Sequence, residues 1–304
     1  MLSFYIVSYI KVHTFLFTYD HIQLKEEKQQ GGRMMSLITV NQEKCIQCGI
    51  CINVCPTRVL EMGKNSPEAI VPQACNACGH CVAVCPHMAI DNNRVPLVNQ
   101  SDLLEFPVVN ATTAQQFLRS RRSIRCYKNT AVPKEKLLQL VDIARFAPTA
   151  SNKQGISYII VEDKKILEKA TQITIEWMEE QLRQETPSHW SFPYHVCAYR
   201  KKKADTILRD APHLILAIAQ KDFLNGRENT IFSLAYLELF ATALGLGSCW
   251  AGLFEMCAFA NYDPLLELFN IPADKVITGA VMVGYPKYGY KRLADRNQLD
   301  IIWS

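Results

Sequence analysis

The 304-residue chain has no uninterrupted apolar run long enough to cross a bilayer. Spanning takes roughly 20 predominantly apolar residues, and the most apolar stretch, 1–19, is broken by Lys11 and His13. That stretch has no clear small-residue cleavage site and no twin arginine near its start, so it does not read as an export signal. No stable membrane insertion is expected. The 33 Lys and Arg residues against 29 Asp and Glu leave a mild charge of +4. They form no aromatic-interleaved stripe, which argues against a nucleic-acid surface. A dinucleotide fingerprint is also missing. Gly245 and Gly247 invite that reading, but position 250 is Trp and the segment follows a helical pattern, not a strand.

What the chain has in excess is cysteine. Eight of its twelve cysteines lie between Cys45 and Cys85. In a small secreted protein that density would mean a disulfide framework. Here it falls on a long chain in two regular runs, Cys45-x2-Cys48-x2-Cys51-x3-Cys55-Pro56 and Cys75-x2-Cys78-x2-Cys81-x3-Cys85-Pro86. This spacing suits two [4Fe-4S] clusters. Three thiolates on a tight loop reach three corners of one cube, and the fourth cysteine, before proline, reaches the other cube. Cys45, Cys48, Cys51 and Cys85 should hold one cluster, and Cys75, Cys78, Cys81 and Cys55 the second. Zinc sites with four cysteines use two separated CxxC pairs, a different pattern. His80 and His87 flank ligands that are already complete. The region resembles two-cluster bacterial ferredoxins over about residues 38–95. Oxygen-sensitive clusters of this kind point to the cytoplasm.

Four segments follow from composition. Residues 1–36 form an N-terminal tail, and KEEKQQGGR (25–33) has the look of a translated ribosome-binding site, so synthesis is expected to begin at Met34 or Met35. Residues 37–99 form the cysteine domain, with strands at 37–40 and 69–71. Residues 100–112 form a linker, ending at a polar step that can cap a helix. Residues 113–304 are mixed α/β. Helices are expected over 113–121, 133–146 and 229–244, and strands over 156–161, 214–219 and 276–284. The stretch 164–209 is ambiguous, with Pro187 and Pro193 as helix breakers.

In the last segment Arg121-Arg122-Ser123-Ile124-Arg125 gathers three guanidinium groups and a hydroxyl, a natural phosphate clamp. Such a run by itself is as consistent with a solvated face. It is followed by APTASNKQ (147–154) before a strand, LGLGSCWAG (244–252), GYP (284–286) and Arg296. That order resembles the nitroreductase family over residues 113–302. The resemblance implies an α+β fold, with a two-[4Fe-4S] ferredoxin-like domain followed by a nitroreductase-like α/β sandwich whose central mixed sheet is flanked by helices. It implies FMN as cofactor and a homodimer. Arg121, Arg122, Ser123 and Arg125 would hold the phosphate and ribityl chain, with Arg296 adding a phosphate contact. Pro148, Thr149, Ala150 and Asn152 would line the flavin from the other subunit, with Gln154 positioning that loop. Ala251 and Gly252 would offer backbone N–H groups near flavin N5. Gly155 departs from the family, which has proline there, and Ala294-Asp295 departs from its usual basic or proline-rich approach to the late arginine.

The expected function is electron transfer between two [4Fe-4S] clusters and FMN to reduce a small-molecule acceptor: a nitro compound, quinone, activated alkene or flavin. NAD(P)H or a redox protein would be the donor. No catalytic acid or base is identified. The alternative is a non-catalytic electron carrier or redox-sensing module that docks a partner protein, and a dehalogenating enzyme on the same scaffold is a third reading. Cys126, Cys197, Cys249 and Cys257 lack ligand spacing and are expected to pack as small hydrophobes, Cys249 near the flavin. Trp177, Trp190, Tyr194 and Tyr199 are open to two readings, substrate-pocket walls or core.

Overall fold

The cysteine repeat in the sequence is a repeat in space. The computed structural model describes residues 36–103, 109–184 and 189–304; most of the tail, part of the linker and Pro187 lie outside the described residues. Strand β1 (Ile38–Val40) pairs antiparallel with β4 (Ile90–Asn92), and β2 (Leu60–Met62) with β3 (Pro67–Ala69). Each cysteine loop runs into a one-turn helix, α1 (Ile50–Asn53) or α2 (His80–Ala83). Left-handed backbone recurs at matching positions of the two halves: Gln47 and Ala77, Gly49 and Gly79, Arg58 and Met88. The strand expected at 69–71 lies slightly earlier, because Pro72 opens a 3-10 turn over Pro72–Ala74 and ends it. A small core of Leu37, Ile38, Val59, Leu60, Val82 and Ile90 closes over buried Cys51 and Cys81.

After the linker, α3 (Ala111–Ser120) begins at Asn110, whose side chain accepts the Thr113 N–H at 2.9 Å, the cap the polar step foretold. The central sheet has the order β5-β6-β8-β7, built from β5 (Ser157–Val161), β6 (His213–Gln220), β7 (Gly247–Trp250) and β8 (Lys275–Gly284). These neighbours pair antiparallel. The parallel element is a bridge from Ser123 to Ser248 that lays the arginine run along β7. Successive side chains on a strand face opposite ways. Leu214, Leu216, Ile218, Ala280 and Met282 therefore pack on one side with α5 (Lys164–Arg183), α6 (Phe192–Lys202), α8 (Gly252–Phe259) and α9 (Asp263–Leu268). Ile215, Ala217, Val281 and Val283 pack on the other with α4 (Lys134–Ala144) and α7 (Gly226–Ala243). Both faces are covered, so β6 and β8 read as unbroken apolar runs. Each fully buried Leu or Ile contributes roughly 1.5–3 kcal/mol.

Most of the described part of the ambiguous stretch is helix, α5 and α6. Lys164–Arg183 is one α-helix whose Leu167, Ala170, Thr171, Thr174, Trp177 and Met178 share a buried stripe. Pro193 does not break α6 but sits in its first turn, where its missing N–H costs nothing.

Candidate functional site

The two cysteine sets stand as the spacing divides them. One pocket is walled by Cys45, Cys48, Cys51 and Cys85. A second is walled by Cys55, Cys75, Cys78 and Cys81. The fourth cysteine of each run thus crosses to the other loop's cavity. Among the described residues no three His, Cys, Asp or Glu groups converge on a point where one ion would sit. Thiols walling a cavity suit a four-iron cube, since each binds a different corner. Burial pushes the Cys51 and Cys81 thiols up; charges on Cys85 and Cys48 add to the first, and on Cys78 and Cys75 to the second. Iron relieves this crowding of like charge. Cys55 lies below its ordinary value: burial raises it, but N–H groups of Val59, Thr57 and Arg58 and the Thr57 hydroxyl outweigh that. Asn92, itself buried, points its amide Nδ2 at Cys75 Sγ (3.8 Å) and Cys81 Sγ (3.9 Å).

The arginine run lies against β7, where Ile124 N–H donates to the Ser248 carbonyl at 2.9 Å. A side chain at Gly247 would place its Cβ 2.5 Å from Ile124, so only glycine lets the segment lie there. Arg121 pairs with buried Glu238 on α7 at 3.5 Å. The same carboxylate accepts from Ser248 Oγ at 3.2 Å and Trp250 Nε1 at 2.8 Å. Arg122 stacks over Tyr290 and lines a cleft with Lys128, Ser248 and Lys287. Among the described residues no carboxylate lines that cleft. Arg125 is exposed, its Nη1 3.4 Å from the Ser123 carbonyl.

The 147–154 loop turns through a 3-10 segment at Ala150–Asn152. Gln154 N–H donates to Thr149 Oγ1 at 3.0 Å, and Ala150 N–H to Asn229 Oδ1 at 3.1 Å. Pro148 stands at the loop's start. Gly155 has φ +66°, closed to proline, which accounts for its departure from the family pattern. Asn152 has a destination the resemblance did not supply: its Nδ2 donates to the carbonyls of Asn76 (3.1 Å) and Ala77 (2.9 Å), in the second cysteine loop. Asn229 is buried, and its Nδ2 has no partner among the described residues. Cations along a cleft without acids, aromatic rings, and a buried free donor beside the loop fit a phosphate-bearing planar ligand.

The chain belongs to the nitroreductase family. The family model matches residues 118–285, and a 4Fe-4S dicluster domain matches residues 21–89. An Archaeoglobus fulgidus protein named as an NADH dehydrogenase/NAD(P)H nitroreductase is 28% identical over 172 residues, 57% of this chain and 84% of that protein. An iodotyrosine deiodinase of Thermotoga neapolitana is 25% identical over 178 residues, 55% and 86% of the two chains. The FMN-bound nitroreductase of Bacteroides fragilis superimposes with a TM-score of 0.52 at 16% identity, covering 64% of this chain and all of that one (100%), a likeness of fold.

Two of the sequence expectations need correction. Ala251 N–H is not available to a flavin, because it donates to the Ala280 carbonyl at 2.9 Å. Gly252, at the first turn of α8, keeps an N–H without an intrahelical partner. Cys126 and Cys197 are exposed and do not pack as hydrophobes, whereas Cys249 and Cys257 are buried as expected. Burial pushes the Cys249 thiol up, which keeps it protonated and a poor nucleophile. Arg296 lies exposed in the C-terminal segment, its N–H donating to Asp295 Oδ1 and its Nη1 3.5 Å from the Asp295 carbonyl. Trp177 belongs to the core, edge-on to Phe192, while Trp190 and Tyr194 are exposed and Tyr199 packs at the core's margin. Sequence reasoning missed Glu238, Asn92 and Asn229. Glu238 carried a signal, since it is a charge on the buried stripe of an otherwise apolar helix.

Proposed function

We propose that this chain is an FMN- and iron–sulfur-dependent oxidoreductase that passes electrons between two [4Fe-4S] clusters and FMN to reduce a small acceptor. The acceptor class is a nitro compound, quinone, activated alkene or flavin. The observation that carries this reading is the pair of four-cysteine cavities on one chain with a nitroreductase domain, joined where Asn152 meets Asn76 and Ala77. Bound FMN supplies hydride chemistry, and the clusters supply single electrons. The units are residues 37–99 and 113–304, with 100–112 between them, and the working form is a homodimer.

The chain's own residues do the rest. The eight cysteines hold the irons. Glu238 fixes the Arg121 guanidinium, while Arg122, Ser123 and Arg125 complete the clamp on the phosphate and ribityl chain, with Arg296 joining from the C-terminal segment. Pro148, Thr149 and Ala150 form a wall for the ring, shaped by the Gln154–Thr149 and Ala150–Asn229 bonds. Gly252 would offer its free N–H to N5 of a bound ring, where a donor tunes hydride chemistry. Protons come from solvent. The likeness to an iodotyrosine deiodinase adds reductive dehalogenation to the chemistries worth assaying.

The test is anaerobic turnover of the purified holoprotein with NADH, NADPH or reduced viologen against a panel of a nitroaromatic, a quinone, an activated alkene, free flavin and an iodinated phenol. Reduction of at least one acceptor at a rate tied to FMN content is the expected result. No turnover with any acceptor would leave an electron carrier and overturn the enzyme reading.

A further inference from the structure

We propose that the two cysteine sites are ordered: the second (Cys55, Cys75, Cys78, Cys81) is the one coupled to the flavin loop, Asn152 is the positioning residue that holds it there, and the first (Cys45, Cys48, Cys51, Cys85) is the outer port. This rests on the function proposed above and adds an order to it.

The first observation is contact. Asn76 and Ala77 lie between two ligands of the second site, Cys75 and Cys78. Both of their carbonyls accept from the one Asn152 amide, at 3.1 and 2.9 Å. A primary amide has two hydrogens, so a single side chain can satisfy both. Asn152 belongs to the loop assigned to the flavin, and each carbonyl it holds sits on the immediate chain neighbour of a cluster ligand, Asn76 beside Cys75 and Ala77 beside Cys78. Electron tunnelling falls steeply with distance, so the site in contact dominates the exchange.

The second observation is the hydrogen bonding of the sulfurs. Asn92 Nδ2 faces Cys75 and Cys81, and the Thr57 hydroxyl lies 3.8 Å from Cys55 Sγ, all at the second site. Among the described residues the first site has no side-chain donor of this kind; Cys85 Sγ receives a backbone N–H from Ala89 at 3.2 Å. Donors to sulfur favour the more negative, reduced cluster and raise its potential. Transfer from first to second site is therefore downhill. The third observation is exposure: Cys48 is the most exposed of the eight cluster cysteines, the others being half-buried or buried. Each passage would move one electron from a one-electron carrier, which is oxidised by one, through the first and then the second cysteine site; two passages with two solvent protons would supply, by way of FMN, the pair that the acceptor takes.

The experiment follows cluster reoxidation, not turnover. Full-length holoprotein is reduced with dithionite under anaerobic conditions, freed of excess reductant and mixed with a quinone in a stopped-flow cell. Wild type, Asn152→Asp and Asn152→Gln are compared on flavin-replete protein of equal iron content. Asn152→Asp, which sets a carboxylate against two carbonyls, should slow cluster reoxidation roughly 10- to 100-fold, with partial rescue by the longer amide of Asn152→Gln. Wild-type clusters that stay reduced would overturn the proposed function together with this inference. Wild-type clusters that reoxidise while Asn152→Asp keeps pace would overturn the junction alone. An independent variant reads the order. Asn92→Asp keeps the oxygen that accepts the Arg94 N–H but loses both donors to sulfur. In an EPR-monitored titration it should lower the midpoint of the higher-potential cluster and leave the other in place. A shift of the lower-potential cluster, or of neither, would overturn the downhill order.

Discussion

The two cysteine sites share a backbone and differ in their surroundings. Each has the same loop, the same one-turn helix and left-handed residues at the same positions. The first faces solvent at Cys48, with Ile46, Ile50 and Met88 exposed near it. The second has Asn92 against two sulfurs, the Arg94 guanidinium donating to the Cys75 carbonyl at 2.6 Å, and Asn152 reaching in from the 147–154 loop. Duplicated local sequence thus builds two equal cages, and the neighbours supplied by distant residues make them unequal. Ligand spacing sets what can bind; on the proposal made above, the long-range contacts set potential and direction.

The largest effect breaks the comparison at its crossing point. Cys55→Ser should cost the second cluster and Cys85→Ser the first, although each cysteine belongs to the opposite run. Iron should fall from about eight to about four per chain in either variant, and EPR should show a different surviving signal in each. Loss of the cluster of the same run would contradict the crossed arrangement.

A smaller effect sharpens the contrast between the cages and the flavin side. Glu238→Ala removes the carboxylate that holds Arg121 and leaves Ser248 Oγ and Trp250 Nε1 buried without it. We expect a loss of about 2 kcal/mol of stability and weaker flavin retention, measured by denaturant melts and by released-flavin fluorescence, with both iron signals intact. Retention equal to wild type would remove Glu238 from the site.

The smallest sets the sheet apart from both cages. His213 accepts the Val132 N–H through Nε2 at 2.9 Å, which needs a neutral ring, and burial holds its pKa below the ordinary value. The unfolded chain therefore takes up the proton more readily. This contribution is complete above the ordinary value near 6.5 and is lost as pH falls through the lower folded value. Between pH 7.5 and 5.5 His213→Gln should show a fall in Tm roughly 2–4 °C smaller than wild type. Parallel curves would contradict the assignment.

Much of this was legible in the residues themselves. The cysteine spacing carried both cages and their crossing, because ligand geometry is local. Strands β6 and β8 were legible because a sheet covered on both faces demands continuous apolar runs. The 164–209 stretch was not, since the β-branched Ile173, Thr174 and Ile175 blur the helical period that Leu167, Ala170, Trp177 and Met178 keep. Strand β7 escaped notice as a four-residue GSCW segment, and α8 because GLFEMCAF is apolar on nearly every side. The Asn152 contact spans some seventy-five positions of chain, and no local pattern announces such a partner. Ala251 was misassigned for the same reason, as its N–H belongs to a carbonyl on β8.

The most direct measurement is an anaerobic count of iron, sulfide and extracted FMN with the visible spectrum of the purified full chain. About eight irons and eight sulfides with one FMN per chain is the predicted result. Iron without flavin, or zinc in place of iron, would contradict the account.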